Sequence, residues 1–120
     1  MIKSLLLGSV IFLLLDSVYL STMKPHFDKM VTKIQGSPID FRMSGALFCY
    51  AFLLLGWYYF ILRERKPVFD AFLFGLVVYA VYEFTNYAII KDWALWSVVI
   101  DTLWGGILYA TTTALVYKFV

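Results

Sequence analysis

Charge is scarce in this 120-residue chain: Asp, Glu, Lys and Arg make up 15% of it, against about a quarter in an ordinary soluble domain. Only one cysteine is present, Cys49, which excludes an internal disulfide. It stands in an apolar run, outside any Cys/His cluster, and is expected to pack as a small buried apolar residue. Histidine is equally rare, with His26 alone near the end of an apolar stretch, where it reads as an interface residue. No Ser/His/Asp set, zinc-binding His-Glu-x-x-His, Walker loop or dinucleotide-binding glycine fingerprint occurs, so neither catalytic residues nor a cofactor are expected. Ten basic residues face eight acidic ones, a balance too even and too dispersed for nucleic-acid binding.

What the chain has in abundance is apolar surface. Hydrophobic residues account for 62% of it and aromatics for 20%, which places it in a lipid bilayer. A spanning helix needs roughly 20 residues, so four spans and their connections take up the length as one transmembrane domain over residues 1–120. The expected fold is all-α, an antiparallel four-helix membrane bundle. The first span covers about 4–23. Lys3 before an apolar run imitates a signal peptide, but Asp16 and Tyr19 stand where small residues would mark cleavage, so the helix is read as retained. The second covers about 44–62 and ends in the polar turn Arg63-Glu64-Arg65-Lys66. The third, about 67–90, opens on Pro67, whose missing N–H costs nothing in a first turn, with Asp70 complementing the helix dipole. Lys91-Asp92 interrupts the pattern, and the fourth span covers about 93–117.

Between the first two spans, Phe27, Met30, Val31 and Ile34 recur at helical spacing, while Lys24, Asp28, Lys29 and Lys33 occupy the other faces. A short interfacial amphipathic helix over about 25–35 is expected, its basic residues among phosphate headgroups and its end at Gly36 and Pro38. The alternative is a solvated loop. Both termini are expected on one side of the membrane. Lys and Arg divide five against five between the two sides, so the positive-inside rule does not choose an orientation. The compact Arg63-to-Lys66 turn and the N-terminal amine tilt the termini towards the cytoplasm, with dual insertion as the alternative.

Three acids interrupt the spans, and an ionisable residue inside a membrane is a functional-site hypothesis by default. Asp16, Glu83 and Asp101 each lie seven residues from the same membrane boundary, taking the span ends as Met23, Ile90 and Ala94. At the helical rise this puts all three roughly 10 Å deep, on three different helices. On the third span Tyr79, Tyr82, Glu83 and Asn86 form one polar stripe. On the fourth, Asp101, Gly105, Leu108 and Thr112 share a face, with Trp104 beside the acid, and Tyr19 follows Asp16 by one turn. Convergence of these faces would make a polar pocket. The spans hold no interior Lys, Arg or His, so the cluster calls for a proton or a cation, with Asp16, Glu83, Asn86 and Asp101 as oxygen ligands. The identity of any metal is left open. The competing interpretation is that neutral acids and Asn86 merely bridge helices. Gly106, Ala110 and Ala114 form a stripe of small residues suited to close packing, within one copy or across a dimer.

The run from Gly75 to Ala94, with Tyr82-Glu83-Phe84-Thr85-Asn86 and Lys91-Asp92-Trp93, and then Asp101-Thr102-Leu103-Trp104-Gly105, resembles the predicted membrane proteins grouped as domain of unknown function 2177. Leu15-Asp16-Ser17-Val18-Tyr19 is compatible with that family's first span. Glu83 stands where the family usually has Asp, keeping the carboxyl and lengthening its reach by about one methylene. The resemblance implies a compact four-helix integral membrane protein with Glu83, Asn86, Asp101 and Trp104 in one site, and it implies no reaction. The function expected from the residues is a proton- or cation-coupled carrier or channel-like protein, acting on a proton, cation or small polar solute. Four short helices enclose little volume, so a homodimer would complete a path more naturally. The alternative is a structural, lipid- or partner-binding scaffold; an intramembrane enzyme using two of the carboxyls is a third, minor reading.

Overall fold

The computed structural model describes all 120 residues and contains four helices and no strand. They are α1 (Ile2–Gln35), α2 (Met43–Trp57, prolonged by a π-helical turn over Tyr58–Leu62), α3 (Val68–Ile89) and α4 (Leu95–Phe119). Each is long and apolar enough to cross a membrane. The chain is therefore an all-helical bundle of four candidate spans.

The largest departure from expectation is in α1. Segment 25–35 is helical and stops at Gly36, whose φ of 76° and N–H bond to the Thr32 carbonyl make the left-handed cap. Yet it is not a separate interfacial element: it continues the first span as one helix of 34 residues. At 1.5 Å per residue that is about 51 Å, well beyond a hydrocarbon core of about 30 Å. Pro25 removes one helical hydrogen bond but does not end the helix. Packing compensates. Met30 is buried, with the Ala94 N–H 3.4 Å from its sulfur, and the Phe27 ring lies 5.5 Å from that of Trp96. The stripe expected to dip into lipid thus covers the α3–α4 turn instead.

The hydrophobic core gathers at the other end of the bundle, around Phe12, Trp57, Ile61, Leu62, Ala71, Leu108, Tyr109 and Val116. Trp57 anchors it. Its ring fills the space that a side chain at Gly8 would need, and its Nε1–H donates to Thr113 Oγ1 at 2.9 Å. The π turn that follows, with Arg63 N–H bonded to the Tyr58 carbonyl at 2.8 Å, directs Ile61 and Leu62 into the same core. The Tyr117 hydroxyl donates to the Lys66 carbonyl at 2.7 Å, tying the end of α4 to the α2–α3 turn. Replacing Trp57 by Phe is expected to keep the ring packing and lose the N–H bond, at a cost of about 1 kcal/mol in a detergent-unfolding titration.

α3 and α4 approach most closely, backbone against backbone, at Gly75 and Gly105. Gly106 packs beneath Phe72, while Ala110 is half-buried and Ala114 exposed. The tightest approach therefore uses different glycines from the expected stripe. α2 behaves differently from the other spans. Trp57 is the only buried residue of its α-helical part, and Leu47, Phe48, Phe52 and Leu55 are exposed. Held at its C-terminal end, α2 leaves a cleft against α1 and α3 towards its start.

Candidate functional site

The three acids of the spans are buried, with Asp16 5%, Glu83 1% and Asp101 9% exposed. Hydrogen bonds and one ring stack link them into a network. Trp104 Nε1–H donates to Asp16 Oδ1 at 2.9 Å, and the same indole ring stacks on Tyr19, with centroids 4.7 Å apart and planes 6° from parallel. The Tyr19 hydroxyl donates to Asp101 Oδ1 at 3.0 Å. Asp101 in turn lies within hydrogen-bond reach of Glu83. Glu83 Oε1 accepts Trp93 Nε1–H and the Ser97 hydroxyl, each at 2.9 Å. Tyr50 closes the other end by donating to Asp16 Oδ2. All four helices contribute to this network.

No cation is among its members. The three ion pairs of the chain, Lys24–Asp28, Arg63–Glu64 and Lys66–Glu64, are on exposed segments outside it. A carboxylate only accepts, so a hydrogen bond between the Asp101 and Glu83 carboxyls requires a proton on one of them. No group of three or more His, Cys, Asp or Glu side chains is arranged to hold a metal ion. The carboxyls are dispersed along a chain of indole and phenol donors. A proton can be held between Asp101 and Glu83; the indole N–H groups only donate and the Tyr19–Trp104 stack carries none.

Beside the network lies a cavity of about 740 Å³. Eighteen of its 21 lining residues are hydrophobic, and the three exceptions are Asp16, Glu83 and Asp101. Its walls come from the second half of α1, from Ile39 and Phe41 in the connection, from α2, and from the facing sides of α3 and α4. The pocket expected from the sequence is present at that end of the bundle, but its walls are far more apolar than a polar stripe implied.

The expected supporting residues divide. Tyr79 lines the cavity and covers Gly105; Tyr82 lines it too, edge-on to Trp93 with centroids 6.3 Å apart. Asn86 is half-buried beside Tyr82, outside the cavity lining and without a bond to any of the three acids. Thr112 is fully buried three turns from Asp101, about 16 Å along the axis, and its hydroxyl has no partner. Cys49 is exposed and lines the cavity, contrary to the buried position expected, because α2 stands away from its neighbours there. His26 is also exposed, its ring 6.1 Å from that of Trp96.

Three members of the network were not anticipated: Tyr50, Trp93 and Ser97. Tyr50 carried a signal, since a phenol within an apolar span needs a partner for its hydroxyl. Trp93 stands at a span edge, where an aromatic residue is common and carries no site signal, and Ser97 is distinguishable only as the residue one turn before Asp101 on the same face.

Four apolar helices around buried, hydrogen-bonded carboxyls define a small polytopic membrane protein. The model of the family described as "Predicted membrane protein (DUF2177)" matches residues 1–118, and the chain belongs to that family. No curated protein and no solved structure matches it.

Proposed function

We propose that the protein is a proton-coupled carrier, in which the carboxyl network takes up and releases a proton in exchange for a small polar or cationic solute held in the adjoining cavity. The observation that carries this reading is a set of three buried carboxyls, linked by hydrogen bonds and the Tyr19–Trp104 stack without a balancing cation, at the wall of a cavity of about 740 Å³. Burying charge without a counter-charge is costly, so uptake of a cation would favour release of the network proton, and the reverse. Asp101 and Glu83 hold that proton, while Asp16, oriented by Trp104 and Tyr50, extends the network to α1 and α2. The bundle operates as a homodimer, since one copy has its cavity on one end and its packed core on the other. The termini lie at one end of the bundle, a reading supported by the contacts that join the start of α1, the end of α2 and the end of α4, and the basic Arg63-to-Lys66 turn at that end tilts it towards the cytoplasm.

The test is proton flux into liposomes holding the purified protein, with and without an imposed potential. Flux is expected from the parent and is expected to fall to the protein-free background in Glu83→Gln. Absence of flux from a folded, inserted parent, tested across a panel of added solutes, would overturn the reading.

One observation favours a second reading, a helix-bridging scaffold: every acid already accepts at least one N–H or O–H from another segment. Under it, the neutral substitution Asp16→Asn would leave both fold and physiological role unchanged.

A further inference from the structure

We infer that the cavity takes a lipophilic organic cation, a quaternary ammonium or phosphonium carrying aromatic or bulky alkyl groups. This deepens the carrier reading by naming the chemical class of its solute. The cavity, at about 740 Å³, is within the range of about 300–1,000 Å³ typical of sites for drug-sized molecules. Its walls discriminate by chemistry. Ten of the 21 lining residues are aromatic, and the lining contains no Lys, Arg, His, Asn, Gln, Ser or Thr. A small hydrated ion or a sugar-like solute would find no ring of hydroxyls or amides to replace its water, and desolvating it there would be costly. An anion would meet three carboxyls and no positive group.

A lipophilic cation satisfies each feature. Its apolar substituents replace lipid or water against Phe41, Phe52 and Phe74, while its diffuse charge is attracted by the aromatic rings of the lining, Tyr79 and Trp93 among them. The carboxyl side of the cavity completes the match. Glu83 and Asp101 are more than nine-tenths buried and line the cavity, and the donors to these two carboxyls reach only Glu83 Oε1 and Asp101 Oδ1. Apart from the proton shared between the two carboxyls, Glu83 Oε2 and Asp101 Oδ2 accept no N–H or hydroxyl, so release of that proton leaves an acidic edge at the wall. A cation whose charge is shielded by bulky groups needs no direct hydrogen bond from that edge, only its charge. Access follows from α2: it is held at Trp57 and stands away at Cys49 and Phe52, so a hydrophobic ion can enter from the membrane side.

The experiment uses the full chain in lipid nanodiscs, with tetraphenylphosphonium as probe and tetraphenylborate as an ion of the same shape and opposite charge. Equilibrium dialysis, corrected by protein-free nanodiscs, measures saturable binding. Alkylation of Cys49 by a maleimide reports occupancy at the cavity wall. Tetraphenylphosphonium is expected to bind saturably and to slow Cys49 alkylation at least fivefold, whereas tetraphenylborate does neither. Glu83→Gln is expected to weaken phosphonium binding at least tenfold; the comparison of the two ions needs no variant, so a poorly folded variant does not spoil the test. Equal behaviour of both ions, or no saturable binding of either, overturns the inference, as does saturable binding that leaves Cys49 alkylation unchanged. Binding without proton flux would retain this ligand class and remove the coupling, while flux without phosphonium binding would retain the carrier and remove the ligand class.

Discussion

Gly75→Leu or Gly105→Leu is expected to yield no stably folded bundle. A Cβ at residue 75 would run into the Gly105 carbonyl oxygen and come within 2.6 Å of the Tyr109 ring. One at residue 105 would strike the Tyr79 ring and lie 2.7 Å from the Gly75 carbonyl oxygen. Main chain cannot rotate aside as a flexible side chain can, so the two helices must separate. Overpacking one extra group in a well-packed core commonly costs about 1–3 kcal/mol, and a contact that opens a whole helix pair exceeds that range. Against a total stability of about 5–15 kcal/mol, alanine at either position is expected to cost roughly 3 kcal/mol and leucine most of the fold. In a membrane this loss is not offset elsewhere, because association of helices rests on close packing rather than on exclusion of water. Detergent-unfolding titration followed by circular dichroism measures the effect. Gly45→Ala is the control: its added Cβ would meet nothing within 4 Å, so it is expected to be neutral or slightly stabilising through helix propensity. Unchanged unfolding of Gly105→Leu would refute the close backbone contact.

Substitution of Glu83 gives the second large effect, and its sign depends on the replacement. Leucine removes the acceptor shared by Trp93 Nε1–H and the Ser97 hydroxyl, two donors that meet at a residue 1% exposed. Each buried donor left unpaired costs about 1–3 kcal/mol, so Glu83→Leu is expected to destabilise by roughly 2–6 kcal/mol. Glutamine keeps an oxygen for both donors and turns an N–H donor towards Asp101, so Glu83→Gln is expected to fold within about 1 kcal/mol of the parent. That asymmetry makes glutamine the informative change. A folded Glu83→Gln protein that conducts no protons assigns the carboxyl a role in proton exchange, whereas a folded and fully conducting one would remove Glu83 from it. Equal unfolding midpoints for Leu and Gln would show that the two donors find other partners.

Much of the site was readable before the fold. Counting residues from the span ends predicts Asp16, Glu83 and Asp101 at one level, and all three line one cavity. The polar stripe of α3 was readable only in part: Tyr79, Tyr82 and Glu83 reach the cavity, while Asn86 lies beside Tyr82 and Thr112 of α4 lies three turns away. Spacing assigns residues to a face of their own helix, but it does not say which other helix that face meets. Which neighbour each part of a face meets depends on crossing angles.

The same limit explains the glycines and the first connection. Gly106, Ala110 and Ala114 form the clearer small-residue pattern, yet the closest approach is Gly75 to Gly105, a pair whose members stand on different helices and share no local spacing. Pro25 is a local stop signal, and packing of Phe27 and Met30 on the α3–α4 turn overrides it.

Membrane residence, the number of spans and the presence of acids within them were determined by the sequence alone. All of these follow from composition and from the fixed rise per residue, which are properties of single segments. The tertiary structure decided the donors to each carboxyl, the continuity of α1, the exposure of Cys49 and the apolar cavity left by α2. These depend on how helices rotate and lean against one another, a balance of contacts between segments far apart in the chain.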